Sequence, residues 1–486
     1  MKKKDYYNIA ILSLITVLIG IYLIAKTALI SKDGTLYINC AKQFATLNLV
    51  DAVRSIEVCP GYSFLIYLMH KVAGLFDHTE SLQRWIVSAQ VVSLLSKLIA
   101  SIMLYFIGNY FTDRKTAFWG VIILSILPDS AEHGSDALTE WPHLAFLFTG
   151  ILLLLLGNIY KKIWIFGLAG ISAGIAFLIR SEGVQIIIYG TAWLIFNLIK
   201  PEGKLKRSQA ITALVLMLIG FAILSVPYMK LTGYVFPDQN LIKISAQSNI
   251  NSDSSTKYVY AGLPGISVAK IKGNKNIVKN ICETLVYFFV PFLVTGVWFY
   301  YRKLKSIEQN FYISAFIILN ITMLLVQQYH FHFISRRHTL ALIAFTIFYI
   351  PLGLQIVSEW LAGKFNLNYK QIFYIFIFIG LIICTSKLYR FTTTQKTGYL
   401  VVSKWLENNT MKSAIIAVPD PRIFFYAERE GIVYDEKKKK KINSSNYIVK
   451  IIKNSEEEAN TGLEEIYSVD VTKRKKDKLV IYKVVH

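Results

Sequence analysis

The chain has 486 residues, of which 54% are hydrophobic and only 17% are charged, and its mean hydropathy is +0.44. Soluble domains carry about one quarter charged residues, so this composition argues against a soluble protein and indicates an integral membrane protein. The net charge of +22 does not indicate a nucleic-acid partner, because the basic residues fall mainly in short loops between apolar segments.

Apolar segments, taken in chain order, predict an all-α polytopic membrane domain of about eleven transmembrane helices over residues 1–386. The first segment follows a basic start, as a signal peptide does, but no small-residue cleavage site comes after it, so we expect a retained span. The predicted spans are 8–28, 84–108, 116–131, 141–157, 163–179, 184–199, 209–228, 284–301, 310–328, 338–356 and 371–386.

The basic residues predict that the amino terminus is cytoplasmic. With this orientation, every short loop on the cytoplasmic side carries at least two Lys or Arg residues, as the positive-inside rule requires. The prediction is an integral protein of the plasma or inner membrane. Its outer segments are 29–83, 129–140, 229–283, 329–337 and the tail from 387.

The tail, residues 387–486, differs in composition and predicts a small extracytoplasmic α/β domain. A helical pattern covers 399–408, and strand patterns cover 414–418, 447–452 and 479–485. In the first outer loop, residues 62–76 are apolar but too short to span, so they predict a helix lying along the interface.

Arginines near the outer surface suggest an anionic ligand. Arg336, Arg337 and His338 open a span at the depth of a lipid phosphate, and Arg180 lies at another span end. The alternative is that these side chains only reach the lipid headgroups as anchors.

A second polar cluster lies between residues 128 and 143. On one continuous helix its acidic and histidine side chains would share an arc about 100° wide, suited to acceptor hydroxyls or a divalent metal. Gly134 and Pro142 argue against continuity, and Thr139 with Glu140 also fits an ordinary helix start. The members of the cluster are Asp129, Glu132, His133, Asp136, Glu140 and His143.

Asp33 follows the first span closely and is a candidate general base, since a carboxylate there is hydrated and shallow enough to meet a lipid headgroup. The alternative is a structural Asp-Gly turn with Gly34. Cys40 and Cys59 share the same outer loop, where they either form a disulfide or remain free thiols.

The order of these motifs resembles that of the C-type glycosyltransferases. The motifs are Asp33 with Tyr37, Cys59-Pro60-Gly61-Tyr62, Ser135-Asp136-Ala137-Leu138-Thr139-Glu140, Arg180-Ser181-Glu182-Gly183, Arg337-His338 and Asp420-Pro421-Arg422. The branch that they resemble contains protein O-mannosyltransferases, the aminoarabinose lipid A transferase and the lipopolysaccharide-core galacturonosyltransferases. Family members often have Pro-Pro-Gly-Tyr and Thr-Glu-Pro where this chain has Cys59-Pro60 and Glu140-Trp141-Pro142.

The resemblance implies an inverting transferase that moves a sugar from a polyprenyl-phosphate donor to a lipid, glycan or protein acceptor of the cell envelope. It implies Asp33 as the catalytic base and no metal or other cofactor. The donor phosphate would be bound by Arg180, Arg336, Arg337 and His338, and the substrates by Tyr37, Glu57, Asp136 and Glu140.

Other classes fit the same composition. A polyprenyl-glycan flippase or transporter normally needs ionisable groups at mid-membrane, and Lys97 is the one such residue within the predicted spans. A polymerase or ligase that uses diphosphate-linked glycans would also need outer arginines. A catalytically inactive scaffold would show an altered Asp33 pocket.

Overall fold

The structure, a computed structural model, describes residues 3–56, 58–199, 205–233, 277–302, 307–331, 334–393, 395–434, 445–452, 463–472 and 475–484. Glu57, the basic run 437–441 and most of the predicted outer loop 229–283 lie outside these residues.

The membrane domain is helical throughout its described part. Two 3₁₀ helices, Ser181–Val184 and Arg336–Thr339, directly precede α10 and α15. The α-helices are α1 (Lys3–Lys26), α2 (Lys32–Thr46), α3 (Leu49–Ser55), α4 (Pro60–Ala73), α5 (Leu82–Phe111), α6 (Arg114–Ile126), α7 (Pro128–His133), α8 (Glu140–Tyr160), α9 (Trp164–Ile179), α10 (Gln185–Ile199), α11 (Arg207–Thr232), α12 (Ile277–Thr284), α13 (Val290–Arg302), α14 (Ile307–Phe331), α15 (Leu340–Thr346), α16 (Tyr349–Phe365) and α17 (Tyr369–Thr393).

Each predicted span overlaps helix in the structure, although the spans 116–131, 284–301 and 338–356 are interrupted, and the polytopic all-α class is confirmed. Within the described residues, seven helices are long and apolar enough to cross a membrane, or eight if the pair bent by 62° between α15 and α16 counts as one span. The segments at α6, α9 and α13 are helices of only 13 to 16 residues. The total of eleven spans therefore stays a prediction.

The helices pack closely where small residues meet. A methyl group added at Gly353 of α16 would overlap the carbonyl oxygen of Phe292, and one added at Gly296 of α13 would overlap that of Tyr349. The two backbones thus approach at a distance that glycine alone permits, as is common between membrane helices.

Helices α2, α3 and α4 connect α1 to α5, and each begins with a local sequence signal. The Ser31 side chain accepts from Gly34 N and caps α2, Asn48 caps α3 in the same way, and Pro60 is the first residue of α4. A helix is therefore present at the predicted position, as α4, and its place along the interface stays a prediction. Cys40 and Cys59 are both buried, and no disulfide joins them.

The tail folds into a small α/β domain, as predicted. It begins with helix α18 (Thr397–Asn409) and continues as β1 (Ile415–Val418), α19 (Pro421–Ala427), β2 (Glu430–Val433), β3 (Tyr447–Ile452), β4 (Leu463–Thr472) and β5 (Lys475–Val484). The strand order is β2-β1-β3-β5-β4, with parallel pairs around β1 and antiparallel pairs around β5. Strands β2 and β4 were missed by the sequence pattern.

Candidate active site

Side chains from four distant parts of the chain meet at one end of the helical bundle. They come from the start of α2, the break between α7 and α8, the residues around Arg180, and the 3₁₀ helix before α15. This is the end at which α1 finishes and the tail begins, because Gln395 accepts a hydrogen bond of 2.5 Å from Ala28 N.

Asp33 lies in the first turn of α2, so the alternative of an Asp-Gly turn is wrong. Its carboxylate accepts a hydrogen bond from Arg337 Nη1, and both side chains are about one third exposed, 35% and 34%. The helix N-terminus itself favours a negative charge at this position. Asp33 is thus an accessible carboxylate whose cationic partner is also within reach of a ligand.

Glu140, the first residue of α8, is the buried centre of the site. Its Oε1 lies 3.2 Å from Arg180 Nη1 and 3.8 Å from Arg337 Nε, while its side chain is only 5% exposed. No residue in the described part of the chain donates to its other oxygen, Oε2. Two guanidinium groups therefore flank one carboxylate oxygen, while the second is buried without a donor among the described residues.

Arg180 is held from two sides, because its Nη1 donates to Thr139 Oγ1 at 3.1 Å and its Nη2 donates to Glu182 at 2.8 Å. Glu182 belongs to the same sequence motif but was given no role from the sequence. The Nε of Arg180 also donates to Glu182, at 3.2 Å, and this bidentate pair fixes the guanidinium plane.

Arg336 and Arg337 are separated in space although they are adjacent in sequence. Arg336 points to Asp129 at 3.2 Å and to Glu283 at 4.0 Å, and about half of its side chain is exposed. Successive residues on a helical turn point about 100° apart or more, so two neighbours rarely face the same group. Arg337 therefore faces Asp33 and Glu140, and Arg336 does not.

Tyr37 and His338 complete the inner part of the site. The Tyr37 ring contacts Tyr62 edge to face at 5.3 Å between centroids. Burial, together with the charges of Asp33 and Glu140, raises the pKa of Tyr37, so it acts as a neutral hydroxyl. His338 Nδ1 bonds to the backbone and hydroxyl of Ser335 and caps the 3₁₀ helix.

The helix that begins at Pro128 ends at His133, so the cluster 128–143 is not one continuous helix. Asp136 lies in the break and accepts hydrogen bonds from the backbone N–H groups of Ser31, at 3.1 Å, and Ala137, at 2.7 Å. Burial raises the pKa of Asp136 to about 6, despite these bonds. Burial, with the negative charges of Asp129 and Asp136, also raises the pKa of Glu132, to about 8.

The described residues contain no group of three or more His, Cys, Asp or Glu side chains arranged to hold a metal ion. Lys97, the charged residue within a predicted span, donates to the carbonyl of Ser125 at 3.1 Å and lies 5.5 Å from the Trp141 ring. Both contacts are with neighbouring helices, so they indicate that Lys97 stabilises the packing of these helices.

Residues 57–226 match the sequence profile of the dolichyl-phosphate-mannose-protein mannosyltransferase family. Among curated protein sequences no significant match is found.

Several solved structures share the fold. ArnT from Cupriavidus metallidurans, bound to undecaprenyl phosphate, is 13% identical with a TM-score of 0.58, covering 88% of this chain and 86% of that one. The Archaeoglobus fulgidus oligosaccharyltransferase AglB, in complex with an inhibitory peptide and a dolichol-phosphate, is 12% identical with a TM-score of 0.58. The match covers 88% of this chain and 64% of that one. The same oligosaccharyltransferase in complex with zinc and sulfate is 13% identical with a TM-score of 0.56. That match covers 87% of this chain and 62% of the other. The chain thus spans less than two thirds of the oligosaccharyltransferase and most of ArnT.

The fold is therefore that of the C-type membrane glycosyltransferases, a bundle of transmembrane helices with a smaller domain at its end. The family match over residues 57–226 agrees with this class. The profile match over residues 57–226 and the shared fold both agree with the resemblance seen in its motifs.

Proposed function

We propose that the chain is a glycosyltransferase that moves a sugar from a polyprenyl-phosphate carrier to an envelope acceptor on the outer face of the membrane. The observation that carries the proposal is the contact between Asp33 and Arg337, beside Glu140 and Arg180. It combines a carboxylate that can take a proton with cations that can hold a phosphate, which are the two groups that this reaction needs.

The donor would be bound through its phosphate by Arg337 and Arg180. A guanidinium group has five N–H donors, and the contacts of Arg337 to Asp33 and Glu140 leave some of them for phosphate oxygens. The bound lipids of the structural relatives, undecaprenyl phosphate and dolichol-phosphate, support a donor of this class. Arg336 would lie at the edge of the site.

Asp33 would act as the general base. It accepts the proton of the acceptor hydroxyl while that oxygen attacks the anomeric carbon, and the bond from this carbon to the phosphate oxygen breaks with inversion. The polyprenyl phosphate leaves with the electron pair, and Arg337 and Arg180 stabilise its developing charge. Glu140, through its unpartnered Oε2, and Tyr37 would hold sugar or acceptor hydroxyls.

Asp33, the proposed base, is paired with Arg337, the cation that the donor would need. A donor phosphate would compete for Arg337 and release Asp33, so the base would become active only when the donor is in place. The proposal requires no cofactor, and Asp136 contributes through the backbone that precedes Asp33.

The proposed orientation, with the site and tail outside, can be tested by fusions. Alkaline phosphatase joined after His486 should be active, and the same reporter joined after Lys162 should be inactive. The reverse pattern in stably expressed fusions would place the site on the cytoplasmic side.

The activity itself is tested with the purified chain in liposomes that contain polyprenyl-phosphate-linked mannose, aminoarabinose or galacturonic acid. Mass spectrometry should detect loss of the sugar from one of these carriers and its appearance on an added acceptor, and Asp33→Asn should slow both by about 10²-fold to 10⁴-fold. Movement of the carrier across the bilayer without sugar transfer would instead indicate a flippase.

A further inference from the structure

The link between α1 and α2, residues 27–31, is held by the tail domain. Ile30 N donates to the hydroxyl of Tyr426 at 3.0 Å, and Ala28 N donates to the side chain of Gln395. The carboxylate of Asp136 accepts a hydrogen bond from the next backbone N–H group, that of Ser31. Three of the five residues in the link thus donate their N–H groups to side chains from outside α1 and α2.

The side chains of the link are anchored as firmly as its backbone. Leu29 is part of the apolar core of the tail domain, where it packs with Val402 and Ile423. Ile30 is 1% exposed and belongs to a separate apolar cluster that includes Phe425. The link therefore passes between two cores, and both contain residues of the tail domain.

A buried ion pair adds to this anchor. Asp420, with only 3% of its side chain exposed, receives two hydrogen bonds of 2.9 Å from Arg422 and lies 3.2 Å from Lys32 Nζ. Although burial works to raise the pKa of Asp420, the hydrogen bonds and charge of Arg422 hold it below its usual value. The carboxylate is therefore available, in its charged form, to Lys32, the residue before Asp33.

The first turn of α2 is also closely packed on the side that faces away from the tail domain. A methyl group added at Gly34 would lie 2.8 Å from the Cβ atom of Ala137 and 3.0 Å from its carbonyl oxygen. The turn that carries Asp33 is thus held between the segment around Ala137 and the tail domain.

We propose that the tail domain positions Asp33, and that Tyr426 and Asp420 are positioning residues for the base. This inference rests on the proposed function of Asp33. A shift of the link moves the start of α2, and with it the Asp33 carboxylate, relative to Arg337 and the bound donor. Misplacement of a reacting group by about 1 Å can slow a reaction by about 100-fold.

The test uses the full chain in liposomes with the polyprenyl-phosphate sugar that it turns over. Tyr426→Phe removes the hydroxyl that accepts from Ile30 and keeps the ring. We expect kcat to fall by about 10-fold to 100-fold with little change in the KM for the donor. Amide hydrogen exchange of residues 30–36 should become about 5-fold faster, because one hydrogen bond is lost. Asp420→Asn should act in the same direction.

The matched control is Tyr434→Phe, because the Tyr434 hydroxyl donates to Val449 within the same domain and away from the link. It should leave kcat and the exchange of residues 30–36 unchanged. An equal loss of kcat in both variants would mean that the domain contributes only general stability, and would overturn the inference.

The route through Asp33 is tested by combining Tyr426→Phe with Asp33→Asn. If Tyr426 acts through the base, its substitution should have no further effect on the residual rate of the Asp33→Asn chain. Additive losses would overturn the positioning role. Normal turnover by Asp33→Asn alone would disprove the proposed base, and hydrogen exchange would still report separately whether the tail domain holds the link.

Discussion

Arg337 donates a hydrogen bond to Asp33 across 304 residues of sequence, and this contact joins the two halves of the proposed chemistry. Asp33 would receive the acceptor proton, and Arg337 would hold the phosphate that leaves. Because Asp33 and Arg337 are paired with each other, a donor phosphate that binds Arg337 would have to separate them. The pairing therefore makes distinct predictions for the two residues.

Replacing Asp33 by Asn should slow sugar transfer by about 10²-fold to 10⁴-fold, as expected for loss of a general base. Donor binding should be unchanged or tighter, because Asn no longer competes with phosphate for Arg337. Turnover and the Kd for polyprenyl phosphate, measured on the same preparation, test both statements.

Asp51→Asn is the matched control, since Asp51 also lies in the first turn of an outer helix, α3, but is exposed. It should behave as the parent does. Near-normal turnover by a well-inserted Asp33→Asn chain would remove Asp33 from the mechanism and direct attention to Glu140.

Arg337→Gln and Arg336→Gln should differ, although the two residues are neighbours. Arg337 faces the inner carboxylates, so its loss should raise the Kd for polyprenyl phosphate by about 10-fold to 100-fold, the range for a charge-assisted hydrogen bond. Arg336 is half-exposed and pairs with Asp129, so its loss should change the Kd by less than about 3-fold. Equal effects of the two substitutions on the Kd would mean that the contacts of Arg337 with Asp33 and Glu140 do not indicate which arginine binds the donor.

The sequence predicted the helices and the outer ends at which charges collect, because apolar length and basic loops follow directly from the membrane. It did not separate Arg336 from Arg337, since that depends on the direction in which each side chain leaves its helical turn. Nor did it pair Asp33 with Arg337 or Lys32 with Asp420. Such contacts depend on how helices that are distant in sequence pack together, and a local sequence pattern does not predict this packing.

The close approach of α13 and α16 predicts opposite effects for two glycines of one helix. Gly353→Ala would place a methyl group on the Phe292 carbonyl, and overpacking of this kind costs about 1–3 kcal/mol. Gly363 has no neighbouring heavy atom within 4 Å, so Gly363→Ala should be neutral or stabilise by up to about 1 kcal/mol. Thermal unfolding in one detergent checks both, and a Gly353→Ala chain as stable as the parent would argue against this packing.

Asp136 predicts a pH dependence of stability whose sign follows from its burial. Burial raises its pKa from 3.8 to about 6, so the folded chain binds this proton more tightly than the unfolded chain does. The resulting stabilisation is complete below about pH 4 and is lost as the pH rises through about 6. Asp136→Asn removes the titration, so its unfolding temperature should rise relative to that of the parent between pH 4 and pH 7. The Asp136 charge also helps to raise the pKa of Glu132 to about 8, so Asp136→Asn lowers that pKa and adds to the same trend.

Asp420→Asn provides the contrast, because the pKa of Asp420 is held below 3.8. Its contribution to stability is present above that pH and is lost as the pH falls through the lower, folded-state value. The difference in unfolding temperature between Asp420→Asn and the parent should therefore be constant from pH 5 to pH 7. The corresponding difference for Asp136→Asn should change over this range. A flat difference for Asp136→Asn over the same range would mean that its carboxyl is hydrated and does not hold the Ser31 backbone from a buried position.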